Sequence, residues 1–193
     1  MDIVKYHGEF GFIKPWTAVR DALTYSQQFL TPSVLEGIEK KLFPETLNSK
    51  GLQGIIKRHK LTYKAIDKQQ EQTQTRGIKI NQKAKTAKRE RSILTRGVLV
   101  EPQLILAFAD KKSAEKAFRQ HICLARNEDI LLPVEMEEIS EEEFNKLDGF
   151  ELELTSDDSA EDSILLGYNR FDDYKPMYGR LTITGKPVRK NIL

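Results

Sequence analysis

The sequence predicts an α+β fold, and three observations predict it. Period-2 apolar runs alternate with runs of helical period along the first 134 residues. A strongly polar stretch at about residues 67–91 interrupts them. Charge is segregated: residues 51–100 are net +10 and residues 101–175 net −12, inside a chain whose formal charge is only +2.

The elements follow in order. Residues 3–12 read as a strand, with Phe10 and Phe12 continuing one face. Pro15 ends it, and a polar connection containing Trp16 and Arg20 follows. Ser33 and Glu36 have the spacing of a capping box, so a helix is predicted with Val34, Leu35, Ile38 and Leu42 inward, closed by Pro44. A second short helix is predicted over 49–58, with Gly51 and Gly54 against it. Residues 61–66 read as a short strand. Residues 67–91 hold almost no large apolar side chain beyond Ile78 and Ile80, so they cannot form a core and should project as a hairpin or loop. Residues 93–100 and 104–109 are apolar, β-branched runs around Glu101-Pro102, predicted as a tight hairpin or one broken strand. Residues 113–119 form a helix with Ala114, Ala117 and Phe118 inward, and 130–134 a strand. Further strands are predicted at 150–154 and 180–184.

The core order is strand, helix, strand, insertion, strand, helix, strand. This is the β-α-β-β-α-β order of a ferredoxin-like (RRM-like) domain. The predicted organisation is a ferredoxin-like RNA-binding domain over 1–139 with its insertion at about 67–91. A small acidic, β-rich extension over 140–193 would return a strand to the sheet.

Composition excludes other classes. No apolar run reaches the ~18 residues that cross a bilayer, and the opening residues do not resemble a signal peptide. One cysteine, Cys123, cannot form an internal disulfide and cannot build a cysteine-type zinc site, so a reducing cytoplasm and no cofactor are expected. Cys123 itself is read as a small buried hydrophobe.

The basic segment points to a polyanion. Lys57, Arg58, Lys60, Arg76, Lys79, Lys83, Lys88, Arg89, Arg91 and Arg96 lie within 40 positions. Cations at this density gain counterion-release free energy on a phosphate backbone, and the scarcity of aromatics favours backbone tracking over stacked readout. The amide end of the helix at Ser33 is an anion site by geometry. Trp16 is either core or a platform for a base or partner. Arg126 either contacts phosphate or pairs with Glu128. The acidic run from Glu135 to Asp162 is a solvated face, a docking surface for a basic partner, or a density of carboxylates without a metal cage's convergence. His59 and Tyr63, with Lys57 or Lys60, form an alternative: metal-independent RNA cleavage.

Several segments resemble the CRISPR-associated proteins of the fifth family, RAMP-superfamily subunits that cap the 5′ handle of the guide RNA in type I Cascade complexes. They are Gly8-Glu9-Phe10-Gly11-Phe12-Ile13-Lys14-Pro15 with Thr31-Pro32-Ser33-Val34-Leu35-Glu36-Gly37-Ile38, then Arg91-Ser92-Ile93-Leu94 before the run at 104–109, then Ile122-Cys123-Leu124-Ala125-Arg126-Asn127-Glu128, and last residues 179–185. Ala125 stands where the family usually has glycine, and the helix after Ser33 keeps only Gly37 among charged neighbours. The resemblance covers most of residues 3–134 and the final strand. It implies that the insertion is a β-hairpin thumb hooking the handle. It also implies that Trp16 and Arg20 meet the handle or a neighbouring subunit. The implied partners are the guide RNA, the backbone and large subunits and, indirectly, target DNA, with no membrane. Most members of the family are not enzymes.

Overall fold

The computed structural model describes residues 1–15, 22–155, 162–169 and 172–189, with the side chains of 75 and 76 left out. The strands are β1 (Asp2–His7), β2 (Phe10–Gly11), β3 (Leu23–Tyr25), β4 (Ile56–Thr62), β5 (Ala65–Asn81), β6 (Thr86–Val100), β7 (Gln103–Phe108), β8 (Ile122–Cys123), β9 (Ile130–Glu138), β10 (Gly149–Thr155), β11 (Ser163–Asn169) and β12 (Lys175–Thr184). The helices are α1 (Pro32–Leu42), α2 (Lys111–Phe118) and α3 (Glu141–Lys146), with a 3-10 turn at Pro44–Thr46. The chain is thus mixed α+β, mostly antiparallel sheet with few helices.

An eight-stranded sheet runs in the order β11-β12-β10-β4-β7-β1-β9-β8. Alternation along its central strands sorts the core into two layers. Val4, Tyr6, Leu61, Leu104 and Leu106 face Leu35, Ile38 and Leu42 of α1 and Ala114 and Ala117 of α2. The Tyr6 hydroxyl donates to the Ala117 carbonyl at 2.8 Å and ties sheet to helix. On the opposite face Ile3 and Ala107 meet Phe144 of α3.

Several expectations are corrected. The capping box at Ser33 does not form: Thr31 is the N-cap, without a side-chain cap bond, because Pro32 takes the first helical position. The Ser33 hydroxyl instead sits 2.9 Å from that of Thr31. The capping box occurs at the acidic run, where Ser140 and Glu143 cap each other's amides and open α3, a helix the sequence reading missed. Residues 49–58 hold no helix. Gly51 and Gly54 both adopt φ near +71°, a left-handed conformation that interrupts helical hydrogen bonding. The buried Glu39 carboxylate takes the loop's amides instead, from Gln53 at 2.5 Å, Ile55 at 2.9 Å and Ile56 at 3.0 Å.

The first strand stops at His7. The two runs around Glu101-Pro102 are neither a hairpin nor one strand. β6 pairs with β5, β2 and β3, while β7 pairs with β1 and β4 in the large sheet. Glu101, at φ +47°, turns the chain from one sheet to the other. Phe118 is exposed, not inward, and α2 is capped by Asp110, which accepts from the Ser113 amide at 2.9 Å. Cys123 is only partly buried and receives the Lys41 ammonium at 3.2 Å. Past α3, β10 joins the large sheet through Phe150 opposite Leu61, and β12 and β11 extend it outward. Trp16 and Arg20 lie outside the described residues, as do 156–161 of the acidic run. No described helix is long and apolar enough to cross a membrane.

Candidate nucleic-acid interface

The polar insertion is one long hairpin. β5 and β6 pair from Ala65 opposite Val100 to Asn81 opposite Thr86, with one irregularity between Gln74 and Ile78. At ~3.4 Å per residue, the 15 residues of β6 span roughly 50 Å. The described residues 77–91 of its outer half are all exposed, as its composition requires.

Cross-strand partners share a face, so the register sorts the side chains. One face carries Lys79 opposite Lys88, Gln69 opposite Arg96, and Asp67, Glu71 and Glu90. Its charges are balanced and partly paired: Lys79 to Glu90 at 2.6 Å, Arg96 to Glu71 at 3.7 Å. The other face carries Ile80, Ile78 opposite Arg89, Gln74 opposite Arg91, Gln72 opposite Ile93, and Lys68 opposite Gly97. It has three cations and no carboxylate. Ile78, Ile80 and Ile93 are all more than half exposed there. Lys83, with Lys85, lies in the turn that joins the two strands.

The root of this face holds an aromatic that sequence reasoning did not single out. A side chain at Gly97 would run into the ring of Tyr25, so the ring lies over the glycine, and Tyr25 remains half exposed. Its only signal in the sequence was a tyrosine in a polar connection. On the other face of β6, Phe12 is buried beneath two guanidiniums, Arg96 at 5.8 Å and Arg126 at 5.5 Å from its ring centre. Arg126 is further held by the buried Asp129, through bonds of 2.8 and 2.6 Å, and lies 3.6 Å from Glu128. Arg96 and Arg126 thus pack over Phe12 at the hairpin root, and Arg126 is ion-paired, chiefly with Asp129.

Of the remaining expected residues, Lys79, Lys83, Lys88, Arg89 and Arg91 are exposed on the hairpin. The backbone of Arg76 lies at the irregularity in β5, and its side chain is outside the described set. Lys57 is exposed but at the end of β4 away from the hairpin, and Ser33 lines a separate cleft with Lys50 and Tyr168. Arg58 and Lys60 are both engaged within the fold. Arg58 donates to both oxygens of Glu151 at 2.8 and 2.7 Å, and to Asn145 at 2.6 Å. Lys60 is 1% exposed, donating to Thr184 at 2.9 Å and lying 3.3 Å from Glu151. Both pack against the Phe144 ring. They anchor β10 to β4, and Lys60 is closed to an outside ligand.

His59 points to the other side of β4, wholly buried, where its Nε2 accepts weakly from the Leu152 amide at 3.4 Å. Burial lowers its pKa to about 4, against the pull of Glu151. Its unfolded form protonates near 6.5, so the folded state binds fewer protons between those values. Stability should therefore fall as pH drops from about 6.5 to 4, by roughly 3 kcal/mol in total. Urea unfolding across this range checks it, and His59→Gln should flatten the slope. Tyr63 is buried, its hydroxyl donating to Gln28, with burial raising its pKa.

No group of three or more His, Cys, Asp or Glu among the described residues is placed to hold a metal ion. No known protein-family model matches the chain, and no curated protein matches it.

Proposed function

We propose that this chain is a non-catalytic RNA-binding subunit of an RNA-guided DNA-targeting complex of the type I CRISPR Cascade kind, holding the 5′ handle of the guide RNA. The carboxylate-free face of the β5–β6 hairpin carries this reading. Three cations, three exposed isoleucines and a half-exposed tyrosine along one strand-pair face suit a single strand, whose phosphates meet Arg89, Arg91 and Lys68 while bases rest on apolar surface.

The finer fold reading belongs with it. The strand order β4-β7-β1-β9, with α1 and α2 against one face, supports a ferredoxin-like domain, and the hairpin enters between its second and third strands as a thumb does. Backbone and large subunits are the proposed protein partners, and target DNA is met indirectly. The burial of His59 and Tyr63 supports the absence of catalysis by that pair.

The test is binding of the purified chain to single-stranded repeat RNA over 50–200 mM salt. The expected slope of log affinity against log salt is about −2 to −4, at ~0.7 per phosphate contacted. A salt-independent affinity refutes the reading. Metal-free cleavage of the repeat, lost in Tyr63→Phe, replaces it with an endoribonuclease.

A further inference from the structure

Three glutamines stand in one line on the carboxylate-free face of the hairpin. Gln70, Gln72 and Gln74 alternate along β5, opposite Thr95, Ile93 and Arg91 of β6, and all three are exposed. Lys68 lies one step beyond the inner end of the line, and Arg89 one step beyond Arg91 at its outer end. The adjacent Gln69 faces the other way and accepts from the Arg126 guanidinium at 3.3 Å. At ~3.4 Å per residue, the three glutamines recur every ~7 Å. Stacked nucleotides recur every ~3.4 Å along a strand. Consecutive nucleotides therefore meet consecutive glutamines only when they are unstacked, which a single strand allows and a duplex does not.

We propose that this line reads sequence: it takes three consecutive adenines of a single RNA strand, one on each of Gln70, Gln72 and Gln74. The inference rests on the RNA-binding reading above and adds base selectivity to it. A primary amide presents a donor and an acceptor side by side. Adenine presents the complementary pair, the N7 acceptor and the N6 amino donor, and glutamine bonds both at once. Guanine places acceptors at both positions, and the pyrimidines have no N7. In an unpaired strand that edge of the base is open to side chains. Lys68 and Arg89 bracket the three glutamines, where the flanking phosphates fall, and Ile93 in the middle row gives the central base an apolar support. The face holds no carboxylate to repel the strand between those cations.

The test is the affinity of the full chain, at 0.1 M salt, for eight-nucleotide RNAs of uridine that carry three central adenines, three central cytidines or no replacement. The adenine strand should bind at least about tenfold tighter than the other two. Replacing its adenines by 7-deazaadenine, which lacks the N7 acceptor, should remove most of that advantage with the protein unchanged. Gln70→Ala, Gln72→Ala and Gln74→Ala together, all at exposed positions, should remove it as well. Neither change should alter the salt slope, because no phosphate contact is lost. Equal affinity for the three RNAs with the salt slope intact overturns this inference alone. So does an adenine preference that survives 7-deazaadenine or the triple substitution. Absence of salt-dependent RNA binding overturns the RNA-binding reading and this inference with it.

Discussion

Reversing Arg89 and Arg91 to glutamate should lower single-stranded RNA affinity by roughly 30- to 100-fold at 0.1 M salt, while reversing Lys79 and Lys88 should cost no more than about fivefold. Both pairs sit on β6 or its partner in the same exposed hairpin and carry the same charge. They differ in the face they occupy and its carboxylates, and in being arginine rather than lysine. At ~4 Å in bulk dielectric a unit pair is worth about 1 kcal/mol, so each reversal exchanges about 1 of attraction for about 1 of repulsion. Screening at a Debye length of ~10 Å trims the total for two sites to about 2–3 kcal/mol. The salt slope should shrink by about 1.4 as two contacts are lost. Lys79 is already neutralised by Glu90, and its face carries as many carboxylates as cations. Fluorescence anisotropy with one labelled RNA measures both losses and the slope, and circular dichroism confirms that the hairpin persists. Equal losses on the two faces would mean that net charge alone governs binding and that the register has no role.

Glu151→Ala should destabilise the fold by about 3–5 kcal/mol, the usual cost of leaving buried charge without its partner. Glu151 is fully buried and answers two cations, Arg58 and Lys60, the second equally buried. Burial works against its ionisation, but the hydrogen bonds and charge of Arg58, with the charge of Lys60, outweigh that and hold its carboxyl below the usual range. Because the folded value is depressed, its contribution is complete above the unfolded value near 4.3 and is lost as pH falls through the folded one. A chain of this size should lose roughly 10 °C in melting temperature. By contrast, Glu90→Ala, which breaks an exposed pair, should cost under about 1 kcal/mol. Adding Lys60→Met to Glu151→Leu should recover part of the loss, since the fully buried cation then needs no counter-charge while Arg58, partly exposed, keeps Glu153 at 3.3 Å. A double variant as unstable as Glu151→Ala would show that the network is not electrostatic in origin.

Comparing residues explains where sequence reading succeeds. The hairpin was legible because a polar segment without apolar side chains has no way to be buried, whatever its surroundings. Helices α1 and α2 were legible from 3.6-residue periodicity, which depends only on neighbours three and four positions away. The capping box was placed at Ser33 and found at Ser140, because the motif is short enough to recur and Pro32 had already set the start of α1. The run Lys57-Arg58-His59-Lys60 read as one basic patch. In the fold its members alternate between two faces of β4, and three of the four are taken up by β10 or by the core.

The sequence by itself determined the polar hairpin, its surplus of positive charge and the alternation of strands with helices. These follow from local composition and period, and every conformation of the chain shares them. The tertiary structure alone decided which cations are presented and which are buried. It decided the face of the hairpin that lacks carboxylates, the ring of Tyr25 lying on Gly97 and the Glu39 carboxylate holding a loop. Each depends on a strand register or a contact between residues distant in the chain. Such pairings are selected by the burial of the whole core, and no local window of sequence contains them.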